Sequence, residues 1–376
     1  MSFCDRSQRS ENRTGDFPLG TLYVNPTRYC NLRCRHCWIA PPVREELVPG
    51  TEEMSMDEIT AIAEAAKEAG LGSIKLTGGE PLLRKDIGEL LSYCVSSDIS
   101  VFMETNGTLV SRDVARMLAD NNVSQVSVSL DSMFPEVHDR LRGKKGAFER
   151  SVSGIKNLIA SGIRPQVILS LYRENLRGFE RFLDFMEDLG VNDVKVNIIT
   201  PMGRGHDLQE KGMAPVLEEV LEFYRRTEKM RNNFRGNCGV DVPPAFQKVE
   251  DIKKRGCRVC GIKSILGILP NGDVSICGVG FMERDMIMGN VRKAPGKIKD
   301  IWKNDPIVRF IREKLPEELE GVCGICVFRK VCLGGCRAEV WYNNHDLKSP
   351  FWFCQKAYDK GLFPSTRLMP EELRVR

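Results

Sequence analysis

The chain has 376 residues, of which 42% are hydrophobic and 28% charged, and its formal net charge at pH 7 is +4. This is the composition of a globular protein with one large and one smaller domain, and it argues against a nucleic-acid or membrane partner. Residues 1–20 are polar, so we expect no signal or transit peptide, and no apolar run approaches the roughly 18 residues that cross a bilayer. We therefore expect a cytoplasmic protein.

Strand and helix patterns alternate six times in the first half of the chain. Predicted helices run from a capping box at Ser55 to Gly70, from Ser111 onward, and over residues 86–96, 148–161 and 178–189. The alternation predicts an α/β fold whose parallel sheet is doubly wound or curled into a barrel, with ligands at the carboxyl ends of the strands. The predicted strands are residues 21–25, 72–76, 100–103, 125–130, 167–171 and 193–199.

The regular alternation ends after Gly205. A bridging helix is predicted at 215–229, and from about residue 241 the chain consists of short segments spaced by Gly, Pro and Cys, with a hairpin turning at Asn271-Gly272. Because this part is too broken for a large apolar core, bound metal must supply much of its stability. We therefore divide the chain into an N-terminal extension (1–20), a strand–helix domain (21–205), a bridging segment (206–240), a cysteine-rich domain (241–360) and a tail (361–376).

The first group of cysteines, Cys30-x3-Cys34-x2-Cys37, begins a few residues after the first predicted strand. In a reducing compartment such cysteines are more often metal ligands than disulfides. Three thiolates could hold a four-iron cluster and leave one iron open for another ligand. Zinc is the alternative, although His36 is the only nearby fourth ligand and a second pair downstream is missing.

The cysteine loop, together with Gly78-Gly79-Glu80-Pro81 after the next strand, resembles radical S-adenosylmethionine (radical SAM) enzymes over residues 21–205. The resemblance implies a partial (β/α)6 barrel. It also implies that the open iron binds the amino and carboxylate groups of SAM. One electron from the reduced cluster then gives methionine and a 5′-deoxyadenosyl radical.

Candidate SAM contacts follow from the same resemblance. Gly78 and Gly79 would let the backbone approach the ligand, and Glu80 would offer a carboxylate to its ammonium group. His36 stands where the family places an aromatic ring against the adenine, with an exposed loop histidine as the alternative.

Two further strand ends carry candidate cofactor-binding residues. Thr105 and Asn106 follow the third predicted strand, and Ser129 and Asp131 lie at the end of the fourth. The resemblance implies that Ser129 and Asp131 contact the ribose and methionyl parts of SAM. Each of the four could equally serve turn chemistry, since Asn-Gly is a strong turn signal by itself. No residue is assigned a catalytic role.

The cysteines of the last third resemble the auxiliary-cluster module called SPASM over about residues 241–358. By this resemblance the module holds two further four-iron clusters, which makes three clusters in all. Two Cys4 zinc sites are the alternative, and Cys4, Cys94 and Cys238 follow no spacing rule. The first cluster would use Cys257, Cys260, Cys277 and Cys336, of which Cys257 is the weakest assignment, and the second Cys323, Cys326, Cys332 and Cys354.

The module resembles that of enzymes that crosslink ribosomal peptides, mature sulfatases or decarboxylate haem-type tetrapyrroles. Gly278 stands where sulfatase-maturing enzymes carry an Asp, which disfavours that activity. The leading hypothesis is a peptide or protein maturase that receives electrons from a flavodoxin or ferredoxin. Any leader recognition would need a separate partner protein or another surface of this one. A tetrapyrrole side-chain decarboxylase is the alternative, and an electron-transfer protein is the least favoured.

Overall fold

The computed structural model describes residues 17–44, 53–231, 233–255, 257 and 259–374, so most of the predicted N-terminal extension, including Cys4, lies outside the described residues. One sheet of ten strands in the order β10-β9-β8-β1-β2-β3-β4-β5-β6-β7 organises these residues. β8 and the strands β1 to β7 run parallel to one another, whereas β9 is antiparallel to both of its neighbours, β8 and β10. The strands are β1 (Thr21–Val24), β2 (Ser73–Leu76), β3 (Ser100–Thr105), β4 (Gln125–Ser129), β5 (Gln166–Leu171), β6 (Asp193–Ile198), β7 (Asn237–Val240), β8 (Ile265–Ile268), β9 (Asp273–Ser275) and β10 (Gly289–Asn290).

Helices cover one face of this sheet. None of them, within the described part of the chain, is long and apolar enough to cross a membrane. The α-helices are Met56–Lys67, Ile87–Ser96, Arg112–Asp120, Pro135–Arg142, Ala147–Ala160, Phe179–Asp188, Arg204–Glu210, Leu217–Met230, Val249–Arg255, Lys297–Asn304, Pro306–Arg309, Gly321–Gly324, Arg329–Cys332, Arg337–Asn344 and Trp352–Asp359, with a π-helical turn at Phe310–Lys314.

Strand alternation separates an apolar outer face from a polar interior. In β2, Ile74 and Leu76 are fully buried in the main hydrophobic core, while Lys75 between them points to the opposite face. The same alternation places Val194 and Val196 of β6 in the core and Lys195 on the interior side. Curling such a sheet turns its polar face inward and exposes it at the carboxyl ends of the strands.

The predicted α/β fold with six parallel strands is confirmed, and each strand lies within two residues of its predicted bounds. Two predicted helix starts are also confirmed. Ser55 forms the predicted capping box with Glu58, and Ser111 accepts a hydrogen bond from Val114 N at the start of its helix. The hairpin turns where predicted, with Gly272 at a φ of +88°.

The sheet extends beyond the six predicted strands at both sides. β7 lies within the predicted bridging segment and pairs with β6, and β8 of the cysteine-rich part pairs in parallel with β1. The helix Pro135–Arg142 was not predicted, because it buries only His138, Leu141 and Arg142 and so lacks an apolar periodicity. The domain boundaries proposed from sequence stay a prediction, since one continuous sheet crosses them.

Candidate functional site

The first cysteine loop follows the carboxyl end of β1. Its thiols are near enough to act on one another electrostatically, because Cys34 and Cys37 both contribute to the raised pKa of Cys30. Cys30 and Cys34 are buried and Cys37 is half-buried. Burial, with smaller contributions from Glu80 and Cys34, raises the pKa of Cys30 to about 12, and burial also raises the pKa of Cys34. Ligation by a metal cluster would supply the positive charge that ionises such thiols, so the donor set fits an iron–sulfur cluster.

Side-chain donors already point at two of these sulfurs. Asn106 Nδ2 lies 3.9 Å from Cys30 Sγ, and Arg142 Nη1 lies 3.7 Å from Cys34 Sγ. The Asn106 amide is itself held by Asn31, whose Oδ1 accepts from Nδ2 at 2.8 Å. Donors in this position would orient thiolate ligands and stabilise their negative charge.

The Gly78-Gly79 turn packs against the segment that enters the cysteine loop. Gly78 has a φ of +106°, and a Cβ on Gly79 would lie 1.9 Å from the carbonyl oxygen of Tyr29. Glu80 N donates to that same oxygen at 2.8 Å. The chain's own backbone, and not only a ligand, therefore requires glycine here.

Three of the predicted cofactor-binding residues meet at the Glu80 carboxylate, which is only 1% exposed. Oε1 accepts from Thr105 Oγ1 at 2.7 Å and from Leu82 N at 3.2 Å, and Oε2 accepts from Asn106 N at 2.8 Å. Burial raises the pKa of Glu80. Because its donors are neutral, this carboxylate is suited to receive an ammonium group.

Asp131 is fully buried and forms a two-point ion pair with Arg142, at 2.7 Å to Nε and 3.0 Å to Nη2. Ser170 N donates to Oδ1 of the same carboxylate at 3.0 Å. Burial opposes ionisation, but the Arg142 guanidinium prevails and holds the pKa of Asp131 at about 2. Both carboxylate oxygens are thus engaged within the protein. The contact of Asp131 with SAM stays a prediction.

Sequence reasoning missed Arg142 altogether. It lies on the unpredicted helix, and nothing local distinguishes it from the surface cation Arg140. The available signal was indirect, since a carboxylate at a buried strand end such as Asp131 needs a cationic partner.

His36 is half-buried and fixed by Tyr172, whose hydroxyl lies 3.0 Å from Nδ1 and whose ring packs edge-on with centroids 5.7 Å apart. Burial and the positive charge of Arg142 lower the pKa of His36 to about 4, so the ring is neutral at physiological pH. Ser129 ends β4 and is also half-buried, on the interior side. Their contacts with SAM stay predictions.

The interior of the sheet carries charged pairs that the sequence did not single out. Lys75 Nζ lies 2.5 Å from Glu104 and over the ring of Tyr23, and Lys195 Nζ lies 3.5 Å from Asp241. Burial would raise the pKa of Glu104, but Lys75 and more distantly Lys195 lower it. Because β3 and β6 are separated by two strands, the influence of Lys195 on Glu104 acts across the interior.

The structure gathers four of the C-terminal cysteines around one cavity. Phe328, Cys354 and the helical turns Gly321–Gly324 and Arg329–Cys332 contribute to its wall. The cysteines at this cavity are those assigned from sequence to the second auxiliary cluster: Cys323, Cys326, Cys332 and Cys354.

The other predicted set is brought together in part. Burial raises the pKa of Cys336 to about 12, with Glu339 and Cys260 adding to the effect, and burial with Cys336 does the same for Cys277. Cys257 contributes to the raised pKa of Cys332, a member of the second set. Its assignment to the first auxiliary cluster stays the weakest.

The spacing of the cysteines bears on the zinc alternative. A tetrahedral zinc ion with Zn–S bonds of about 2.3 Å holds its sulfurs roughly 3.8 Å apart. Among the described residues, only the exposed His206, Asp207 and Glu210 bring three potential ligand atoms within 4.8 Å of one another. Because sulfur positions shift when a ligand binds, the zinc alternative stays a prediction beside the iron–sulfur one.

Gly278 connects the two cysteine regions. A Cβ on Gly278 would lie 3.0 Å from Cη2 of Trp38, the residue after Cys37. Cys277 also lies close enough to Lys75 for that cation to counteract part of the rise in the thiol's pKa. The loop after β9 thus borders both the first cysteine loop and the interior of the sheet.

Comparisons with known proteins agree with this arrangement. Residues 24–210 match the radical SAM superfamily, and residues 245–327 match SPASM, an iron-sulfur cluster-binding domain. An AdoMet-dependent heme synthase of Nitratidesulfovibrio vulgaris is 33% identical over 85% of this chain and 88% of its own length. Mycofactocin maturase MftC of Mycobacterium ulcerans is 28% identical over 92% of this chain and 90% of its own length.

The fold has solved counterparts. SuiB of Streptococcus suis, solved bound to S-adenosylmethionine, has a TM-score of 0.70 at 20% identity, over 90% of this chain and 78% of SuiB. At that identity the likeness shows the fold alone.

Proposed function

The chain belongs to the radical SAM superfamily, with a SPASM domain in its C-terminal part, and from this premise we propose that it modifies peptide side chains. The charge-balanced interior carries this proposal. Lys75 and Lys195 lie there with Glu104 and Asp241, so groups of either sign on a peptide find a partner. The similarity to a mycofactocin maturase over 92% of the chain supports a peptide substrate.

The first cysteine loop would hold the SAM-binding cluster. Cys30, Cys34 and Cys37 supply its three thiolates, and when bound the cluster and SAM supply the 5′-deoxyadenosyl radical. Asn106 and Arg142 donate hydrogen bonds to two of the sulfurs, which orients those ligands and keeps them desolvated.

The SAM contacts proposed for this chain are partly direct and partly indirect. Glu80 receives the ammonium group, and Thr105 fixes the Glu80 carboxylate for that role. The neutral ring of His36, held by Tyr172, packs against the adenine, and Ser129 faces the cofactor from the end of β4. Asp131 acts through Arg142 as a positioning residue.

The C-terminal cysteines are proposed to hold two auxiliary four-iron clusters, for a total of three. The cluster that includes Cys277 would border the substrate space, because Cys277 lies near Lys75 and its neighbour Gly278 packs on Trp38. A flavodoxin or ferredoxin is the proposed electron donor, and a separate leader-binding protein the proposed accessory partner.

The test is anaerobic reconstitution, followed by incubation with short peptides encoded beside the gene or with iron coproporphyrin III. We expect 5′-deoxyadenosine and a peptide product that has lost two hydrogens, as a new thioether or carbon–carbon link requires. Turnover of the porphyrin alone, with loss of carbon dioxide, would reject the peptide proposal.

A tetrapyrrole decarboxylase is the second candidate, favoured by the 33% identity to an AdoMet-dependent heme synthase. In that case Lys75 and Lys195 would pair with carboxylate side chains of the macrocycle. Glu104→Gln should then tighten porphyrin binding, because the substitution removes a negative charge that repels the carboxylates of the macrocycle. For a peptide maturase the same change should leave porphyrin affinity negligible.

A further inference from the structure

A basic cleft of about 530 Å³ lies on the outer side of the first cysteine loop. The loop itself, the end of helix Pro135–Arg142 and the turn after β6 form its walls. The formal charge of the residues that line this cleft is strongly positive, whereas the whole chain of 376 residues carries only +4. The lining consists of six cations, one carboxylate and one glycine: Arg33, Arg35, Arg140, Lys144, Lys145, Arg204, Asp139 and Gly143.

Backbone and side-chain contacts attach this cleft directly to the cluster-binding loop. Arg204 Nε donates to the carbonyl oxygen of Cys34 at 2.8 Å, and Lys144 Nζ to that of Asn31 at 3.3 Å. The cleft is therefore only one residue layer away from Cys34.

The lone carboxylate does not cancel the positive charge toward solvent. The two oxygens of Asp139 accept from Gly146 N at 2.6 Å and Phe148 N at 2.8 Å, so they face the turn that follows the helix. Arg140 is paired with Glu174 on the surface, an exposed contact that an approaching partner can replace. Arg33, Arg35 and Lys145 are all exposed.

We propose that the basic cleft is the docking surface for an acidic one-electron carrier protein of the flavodoxin or ferredoxin type. Weak redox encounters bury little surface and rely on complementary charge to steer association, which fits a small, strongly basic cleft. The carrier loses one electron and the cluster held by Cys30, Cys34 and Cys37 gains it. The proposal rests on radical SAM chemistry but not on the identity of the substrate.

The test uses the reconstituted full chain without substrate and a bacterial flavodoxin reduced to its hydroquinone. Stopped-flow bleaching of the cluster absorbance gives the second-order rate constant, and dithionite reduction serves as the carrier-independent reference. The cleft variant is Arg35→Glu with Lys145→Glu. The matched control is Arg226→Glu with Lys229→Glu, which makes the same charge change on an exposed helix distant in sequence.

We expect the cleft variant to lower the flavodoxin rate constant about 10-fold at low ionic strength and to flatten its salt dependence. Dithionite reduction of both variants, and flavodoxin reduction of the control, should stay within about twofold of wild type. The milder double variant, Arg35→Gln with Lys145→Gln, should lower the flavodoxin rate constant by an intermediate amount.

Two results would overturn the proposal. One is equal slowing of the cleft and control variants by flavodoxin, which would mean that only net charge matters. The other is equal slowing of flavodoxin and dithionite reduction in both cleft variants, which would place these residues in cluster stability instead of docking. Since neither assay contains substrate, failure of the peptide proposal would leave these outcomes unaffected.

Discussion

Neutralising Asp131 should destabilise the protein because it leaves a buried guanidinium without its counter-charge. Asp131 is fully buried, and its pKa is about 2 in the folded chain against an ordinary 3.8. That difference corresponds to about 2 kcal/mol at neutral pH. Removing one partner of a buried pair costs about 3–5 kcal/mol in other proteins. We therefore expect Asp131→Asn to cost roughly 2–4 kcal/mol.

The assay is anaerobic urea denaturation of reconstituted protein, followed by circular dichroism. The folded pKa of Asp131 is lowered, so its contribution is fully present above pH 4 and is lost as the pH falls toward 2. The difference between wild type and Asp131→Asn should therefore be constant from about pH 5 to 8. Glu313→Gln, which breaks the exposed pair with Arg309, is the control and should show no measurable change.

A double-mutant cycle tests whether the cost comes from the unpaired charge. Adding Arg142→Met to Asp131→Asn removes both charges and fills a similar volume, so the two changes should couple by at least about 2 kcal/mol. Strict additivity, or a cost below about 1 kcal/mol for Asp131→Asn alone, would refute the reasoning.

Three further changes test other parts of the site. Glu80→Gln should weaken SAM binding about 10- to 100-fold in anaerobic dialysis without loss of iron, because a charge-assisted contact is replaced by a neutral one; unchanged affinity would contradict the ammonium assignment. Gly79→Ala places a methyl group 1.9 Å from a backbone oxygen and should cost about 1–3 kcal/mol in urea denaturation. The control Gly178→Ala adds a methyl group in open space and should leave the free energy of unfolding unchanged. Equal destabilisation by both substitutions would argue against the clash at Gly79. Cys332→Ala should make the cysteine-rich part more sensitive to limited proteolysis than the barrel, and an unchanged digestion pattern would count against metal-dependent folding.

The strands could be predicted from sequence because, along each one, apolar side chains that pack into a single continuous core alternate with side chains on the opposite face. Ile74 and Leu76 show this in β2, where both are fully buried on the helix-covered face. The cysteine loop was equally visible, since its ligands lie within eight residues and need no tertiary information. The seventh strand, Asn237–Val240, was missed because half of its residues are Asn and Gly, which strands disfavour.

The electrostatic partners could not be read from sequence, because they are fixed by topology. Arg142 contacts Asp131, which lies 11 residues earlier in the chain, because the helix Pro135–Arg142 folds back onto the end of β4. That helix is too polar for its apolar periodicity to predict it. Lys75 and Lys195 occupy single inward positions between apolar neighbours, and only the curl of the sheet lets both lower the pKa of Glu104. Ion pairs between residues that are distant in sequence therefore decide which charged groups the interior can bind.

The open form of the sheet bears on the size of the substrate. β7 and β10 are the two edge strands, so the described strands do not close into a barrel whose interior is filled by side chains. Asp241 directly follows β7, and its pairing with Lys195 places one charged pair beside that edge. On the other side, the loop bearing Cys277 approaches Lys75 and Trp38. The peptide substrate proposed above would, on entering along the β7 edge, meet charges of both signs before it reaches the cysteine loops.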